Sequence, residues 1–100
     1  MSEPVLSDSD LAAALSGPDA PEWELVGGRL LKTVSCAGFV GSVAYVNEVG
    51  VLAEAANHHP DIDIRYNRVT LSLMTHDSGG ITQKDIDLAK RIDQVTAGLK

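Results

Sequence analysis

The feature that most constrains the fold is a stretch of about 22 residues, 36–57, in which apolar residues recur with helical periodicity. The sequence His58-His59-Pro60 follows it. Ser35 is a candidate N-cap for this helix, and Pro60 cannot continue it. Apolar side chains recur at three- to four-residue spacing along this stretch. They are Phe39, Val43, Val46, Val49, Leu52, Ala53 and Ala56. This pattern predicts one long helix that packs against a sheet or other helices.

Two predicted hairpins flank the long helix. Residues 23–26 and 29–34 are joined by Gly27-Gly28, which allows the positive φ angles that a tight two-residue turn needs. The second hairpin lies after Pro60, and its turn is predicted at Asn67-Arg68. Apolar residues occupy alternate positions of its strands: Ile62, Ile64, Tyr66, Val69, Leu71 and Leu73. Such alternation predicts a sheet with one buried face.

Capping patterns indicate a helix at each end of the chain. Ser7 with Asp10 begins a short helix, and Thr82 with Asp85 begins the last one. The predicted order is therefore α-ββ-α-ββ-α. Hairpins separated by helices favour an α+β fold with a four-stranded antiparallel sheet and three helices on one face. Residues 1–100 are expected to form a single domain, in which residues 1–6 are frayed.

The charge and cysteine content exclude several classes of function. The net charge is −6, and residues 1–28 hold six acids and no Lys or Arg. No basic stripe is present to neutralise phosphates, so we expect no nucleic-acid partner. A single cysteine, Cys36, rules out an internal disulfide and a CxxC motif. Neither a leader sequence nor a membrane-spanning run is visible, so we expect a cytoplasmic protein without a membrane partner.

All three histidines, His58, His59 and His76, lie within one nineteen-residue stretch. Histidine can give and take a proton near neutrality, so acid–base catalysis on a small organic substrate is one hypothesis. Glu54 lies four residues before His58 on the helix and is expected to orient that imidazole. A metal site formed by His58, His76 and a carboxylate is a second hypothesis, although HxxxH and HExxH spacings are absent. The third is that these histidines are structural or simply exposed.

The spacing of seven residues in this region is similar to a known signature. Glu54, His58-His59-Pro60, Tyr66, His76 and Asp85 stand as in the pterin-4a-carbinolamine dehydratases, and the signature spans 32 residues. The resemblance covers roughly residues 6–97 and includes Trp23, Phe39, Val46 and Ala53. It implies a four-stranded sheet with helices on one face, dimers formed by sheets joined edge to edge, and tetramers formed from dimers.

The resemblance also implies an activity. That activity is dehydration of 4a-hydroxytetrahydrobiopterin to quinonoid dihydrobiopterin in tetrahydrobiopterin recycling, with no metal or cofactor. His58, His59 and His76 would be catalytic, with His58 and His76 as acid and base and His59 orienting the substrate. Tyr66 would be structural. The substrate-binding set would be Glu54, His58, His59, Pro60, Thr75, His76, Asp77 and Ser78, supported by Asp85.

Two positions depart from the family pattern, and two other functions stay open. The family commonly has Trp where Ile62 stands and a small polar residue where Met74 stands, so the preference for the pterin side chain is open. Some members also act as dimerisation partners of a transcription factor. A pterin dehydratase of folate or molybdopterin metabolism would carry the same residues.

Overall fold

The chain folds into seven elements in the predicted order α-ββ-α-ββ-α, in a computed structural model that describes residues 3–99. The elements are α1 (Asp8–Ala14), β1 (Glu24–Val26), β2 (Arg29–Ser35), α2 (Gly38–Ala56), β3 (Asp61–Arg65), β4 (Arg68–Leu73) and α3 (Gln83–Ala97). The α+β fold with one four-stranded antiparallel sheet is therefore confirmed. Within residues 3–99, no helix combines the length and apolarity needed to cross a membrane.

The four strands form a sheet of order β1-β2-β4-β3, so the second hairpin pairs through β4 with the inner strand of the first. Gly27 and Gly28 have φ angles of 58° and 78° and form the predicted two-residue turn. The predicted second turn is wrong by one residue. Ile64 pairs with Val69, which leaves Tyr66 in the loop with φ 52° rather than in the strand.

The core lies between one face of the sheet and the helices. Alternate residues of β4 are buried, whereas every residue of the edge strand β3 is exposed. The largest fully buried apolar side chains from the strands and helices are Leu30, Val69, Leu71, Leu73, Tyr45, Val49, Ile86, Leu88 and Ile92. Trp23 is also buried, and its Nε1 donates a hydrogen bond to Asp93 Oδ1 at 2.7 Å. This bond ties the entrance of β1 to α3.

Helix α2 begins later and buries a different side than its sequence predicts. Ser35 belongs to β2, and the N-cap is Ala37, which makes no side-chain capping bond. Its buried residues are Ser42, Tyr45, Val49 and Ala53, whereas Phe39, Val40, Val43 and Val51 are exposed. Apolar residues occur around most of this helix, so their spacing alone does not select the face that packs on the sheet.

Tyr45 should make the stability of the fold decrease at alkaline pH. Burial raises the pKa of Tyr45 above its ordinary value of 10.0, although its hydrogen bond to Thr96 lowers it. The unfolded chain therefore loses this proton at lower pH than the folded chain does. The contribution of Tyr45 to the free energy of unfolding should be constant below about pH 10 and should fall above it, by up to about 1.4 kcal/mol per pH unit.

Replacing Tyr45 with Phe should remove most of that alkaline decline in urea titrations at several pH values. Tyr66→Phe is the matched control, because Tyr66 is 70% exposed. Equal pH slopes for wild type and Tyr45→Phe would contradict the role of the buried phenol.

Candidate active site

The end of α2 aims the two adjacent histidines in different directions. Asn57 has a left-handed conformation with φ 49°, and it caps the helix. Asn adopts this conformation more readily than most residues. The His58 N–H then donates to Ala53 O at 3.0 Å, which closes the last turn. His58 consequently leaves the helical register and reaches α3.

His58 pairs with a fully buried carboxylate. Its Nε2 donates to Asp85 Oδ1 at 2.5 Å, and the two side chains are 11% and 0% exposed. Because the carboxylate accepts this proton, it selects the tautomer in which Nε2 carries hydrogen. Nδ1 is therefore the ring nitrogen of His58 that remains to exchange a proton with a ligand.

The carboxylate of Asp85 accepts two further hydrogen bonds at the start of α3. Its Oδ2 accepts from the Thr82 N–H and the Thr75 hydroxyl, both at 2.9 Å. Thr75 uses its only hydroxyl proton there, so the Thr82 hydroxyl donates to Thr75 Oγ1 at 2.8 Å. The predicted capping role of Asp85 is confirmed, since Thr82 and Asp85 form a capping box. One carboxylate therefore joins the cap of α3, Thr75 in the segment after β4, and His58.

The predicted pairing of Glu54 with His58 is wrong. Glu54 Oε2 instead accepts a hydrogen bond from His59 Nε2, five residues later. The i, i+4 expectation requires the helix to continue through residue 58, and the left-handed Asn57 ends it one residue earlier. The side chains of Glu54 and His59 are 78% and 58% exposed, so this pair orients His59 and adds little stability.

His76 lies in a tight loop that follows β4. Thr75 and Gly80 form an isolated bridge across the loop, with the Thr75 N–H donating to Gly80 O at 2.9 Å. Gly79 takes φ 77°, a conformation that glycine adopts without strain, and its N–H donates to the carbonyls of Thr75 and His76. These bonds fix the backbone that carries His76.

Residues before α1 hold the other side of this loop. Ser78 Oγ donates to Glu3 O, and the Leu6 N–H donates to Ile81 O at 2.9 Å. A Cβ at Gly80 would lie only 3.0 Å from a methyl carbon of Val5. Residues 3–6 are therefore packed on the loop and are not frayed as predicted, and the rest of that predicted segment, residues 1–2, lies outside the described residues.

A cleft of about 320 Å³ brings most of the predicted site residues together. The cleft is lined by His58 and His59, which follow α2, and by Thr75, His76 and Asp77, which follow β4. Two other predicted residues, Pro60 and Ser78, are not part of its wall. Glu54 contributes through its bond to His59, and Asp85 lies beneath His58. The size is at the lower end of the range for small-molecule sites.

Three further residues complete the lining of this cleft: Asn57, Met74 and Lys84. Met74, one of the two departures from the family pattern, lines the cleft. Ile62, the other departure, lies in β3 and does not line the cleft. Asn57 and Lys84 were missed. The sequence signals that could have identified them are an Asn at the end of a predicted helix and a Lys two residues after the N-cap Thr82.

No group of three or more His, Cys, Asp or Glu side chains within residues 3–99 is arranged to hold a metal ion. What the cleft does offer is two imidazoles from different elements, one of them supported by a buried carboxylate. Such an arrangement can deliver a proton to one atom of a ligand and remove a proton from another.

Comparison with known proteins identifies a family that matches most of the chain. Residues 4–95 match the family model described as pterin 4 alpha carbinolamine dehydratase. A protein of Chloroflexus aurantiacus, named provisionally as such a dehydratase, is 49% identical over 92% of this chain and 97% of its own length. One from Thermosynechococcus vestitus with the same name is 52% identical over 90% of this chain and 93% of its own.

Two solved structures share the fold. A transcriptional coactivator/pterin dehydratase from Brucella melitensis has a TM-score of 0.83 and 26% identity, and the match covers 92% of this chain and 98% of that one. A pterin dehydratase-like protein, described as a RuBisCO assembly factor in the alpha-carboxysome, has a TM-score of 0.64 and 20% identity over 85% of this chain and 100% of its own. The second resemblance concerns the fold alone.

Proposed function

Because the chain belongs to the pterin 4 alpha carbinolamine dehydratase family, we propose that it is a hydro-lyase acting on 4a-hydroxytetrahydrobiopterin. The products are quinonoid dihydrobiopterin and water, and the reaction serves tetrahydrobiopterin recycling in the cytoplasm. The observation that carries the proposal is the placement of His58 and His76 on one cleft of suitable size.

The reaction needs two proton transfers. The C4a–O bond breaks as an acid protonates the leaving hydroxyl, which departs as water. A base removes the proton from N5, and the electron pair of the N–H bond forms the C4a=N5 double bond. The proton delivered and the proton removed balance, so the protein returns to its starting state after exchange with water. Positioned acids and bases typically contribute 10²–10⁴-fold each.

The site residues divide this work. His58 and His76 carry out the two proton transfers, and Asp85 holds the ring of His58 in one tautomer. His59, held by Glu54, binds and orients the pterin from the exposed side of the cleft. Thr75 and Asp77 line the wall next to His76. Ser78 and Pro60 act indirectly, because Ser78 anchors the loop to Glu3 and Pro60 directs the chain into β3.

The direct test of this function is to generate the 4a-hydroxytetrahydropterin chemically and follow its loss by absorbance. The rate should exceed the spontaneous rate in proportion to the protein concentration. A rate equal to that without protein, at concentrations where the chain is folded by circular dichroism, would refute the proposed activity.

We also propose that the chain works as a homodimer or homotetramer. Edge strand β3 exposes Ile62 and Ile64, and α2 exposes Val40 at 82% and Val51 at 69%. Unpaired edge strands and grouped exposed apolar residues are typical of surfaces that associate. The same surface of α2 favours the second candidate function, an interaction protein that dimerises with a transcription factor.

Replacing Val40 with Glu should reduce the assembled fraction in sedimentation velocity, because it puts a charge on an apolar surface. Glu48→Gln on the exposed side of the same helix is the control. An unchanged sedimentation coefficient in Val40→Glu would exclude this part of α2 from the interface. A stoichiometric heterologous partner that remains bound to an inactive wild-type protein would instead support the interaction role.

A further inference from the structure

A second concave surface adjoins the candidate active site. This groove, of about 250 Å³, lies between the end of α2 and the first half of α3. The apolar part of its lining is formed by Ala55, Ala56 and Leu88. His58 and Lys84 line both the groove and the cleft described above, so the two concavities meet at these side chains. A ligand held in the cleft could therefore extend a substituent into the groove.

The far wall of the groove is cationic in a chain whose net charge is −6. Lys84, Asp87 and Arg91 line it, so two bases stand against one acid. Lys84 and Arg91 are seven residues apart on α3 and therefore share one side of the helix, about 10 Å apart along its axis. Asp87 already accepts a hydrogen bond from Gln83 Nε2 at 2.9 Å.

Both bases are available to a ligand. Within residues 3–99, Lys84 and Arg91 make no hydrogen bond or ion pair, whereas Arg29, Lys32 and Arg65 are each paired with an aspartate. A guanidinium binds a phosphate or carboxylate through two parallel hydrogen bonds, and an ammonium adds a point charge. The groove thus has the chemistry to bind an oxyanion.

We propose that this groove binds an anionic group, a phosphate ester or a carboxylate, carried on the side chain of the pterin whose ring occupies the cleft. The inference rests on the proposed dehydration of a 4a-hydroxypterin, and it extends the substrate class from biopterin, whose side chain is neutral, to pterins with an anionic side chain. Pterins with an oxyanion on the side chain would be preferred over those with a neutral hydroxyalkyl chain. Arg91 would be a specificity-determining residue, remote from the reacting C4a and N5 atoms.

The test compares a neutral pterin with two anionic ones, of which the phosphate ester differs from the neutral pterin only in the anion. The affinities of 7,8-dihydroneopterin and its 3′-monophosphate are measured by titration calorimetry, and 7,8-dihydrofolate provides a carboxylate-bearing ligand. The phosphate ester or the folate should bind about fivefold more tightly than dihydroneopterin at low salt, and the preference should shrink as salt rises. A preference for the 3′-monophosphate identifies a phosphate as the anion, and a preference for dihydrofolate identifies a carboxylate.

Variants of α3 locate the effect. Arg91→Gln should reduce the ratio of anionic to neutral affinity toward one, and Asp87→Asn should increase it by removing the opposing charge. Lys90→Gln is the matched control, because Lys90 is an exposed base on the same helix that does not line the groove. Gln and Asn are tolerated at exposed helix positions at little cost.

The outcomes separate this inference from the function on which it rests. Equal affinity for neutral and anionic pterins, or an equal change of both in Arg91→Gln, overturns the inference and leaves the dehydratase proposal standing. If none of the three dihydropterins binds, the cleft does not bind a pterin ring, and the proposed function is refuted as well.

Discussion

His58→Gln and His76→Gln should each lower kcat for dehydration by about 10²–10⁴-fold, because each variant removes one of the two proton transfers. Glutamine keeps a polar side chain of similar reach but does not exchange protons near neutrality. The two imidazoles line the same cleft, His58 from the end of α2 and His76 from the loop after β4. The measurement is the initial rate of loss of 4a-hydroxytetrahydropterin, corrected for spontaneous dehydration.

His59→Gln is the matched control for this pair of variants. His59 is adjacent in sequence and lines the same cleft, but its partner Glu54 is exposed, and its proposed role is to orient the substrate. We therefore expect His59→Gln mainly to raise KM, with a smaller fall in kcat. A His58→Gln protein that is folded and retains wild-type kcat would remove His58 from the chemistry.

Asp85→Ala should lower the free energy of unfolding by about 3–5 kcal/mol, the largest stability effect that we expect. The substitution leaves the Thr82 N–H, the Thr75 hydroxyl and His58 Nε2 without their acceptor in a buried place. It also removes the capping box that begins α3. Urea titration followed by circular dichroism measures the change.

Asp87→Ala is the stability control, since Asp87 lies two residues later on the same helix but is exposed and bonds only Gln83 among the described residues.

A smaller change, Asp85→Asn, separates the effect on stability from the effect on activity. Asn retains one acceptor oxygen, so it should cost less stability than Ala, yet it loses the charge that holds His58 in one tautomer. We expect kcat to fall about tenfold or more in folded Asp85→Asn. A wild-type kcat in that variant would show that Asp85 caps α3 but does not contribute to catalysis through His58.

Local sequence signals predicted most of the fold. Gly27-Gly28 marked the first turn, Pro60 marked the end of the long helix, and Thr82 with Asp85 marked the start of the last helix. Each of these signals acts through the backbone of a few neighbouring residues. The buried side of α2 could not be predicted in the same way, because Val40 and Val49 are equally apolar and only packing on the sheet distinguishes them.

The site was predictable as a set of residues but not as a set of contacts. Glu54, His58 and Asp85 could all be selected from their spacing, whereas the partners of each depend on one backbone angle, at Asn57. That angle moves His58 away from Glu54 and toward α3, where Asp85 lies. Lys84 belongs to the cleft only because the start of α3 packs beside the end of α2, which no local pattern in either helix encodes.

The most direct test of the central claim is a crystal structure with 7,8-dihydrobiopterin bound, since this reduced ring lacks the hydroxyl that leaves in the reaction. The account predicts that the bicyclic ring lies in the cleft, with ring nitrogens of His58 and His76 within about 3 Å of the region of N5 and C4a or one water away from it. A ring bound elsewhere, or bound in the cleft with either imidazole directed away from it, would contradict the account.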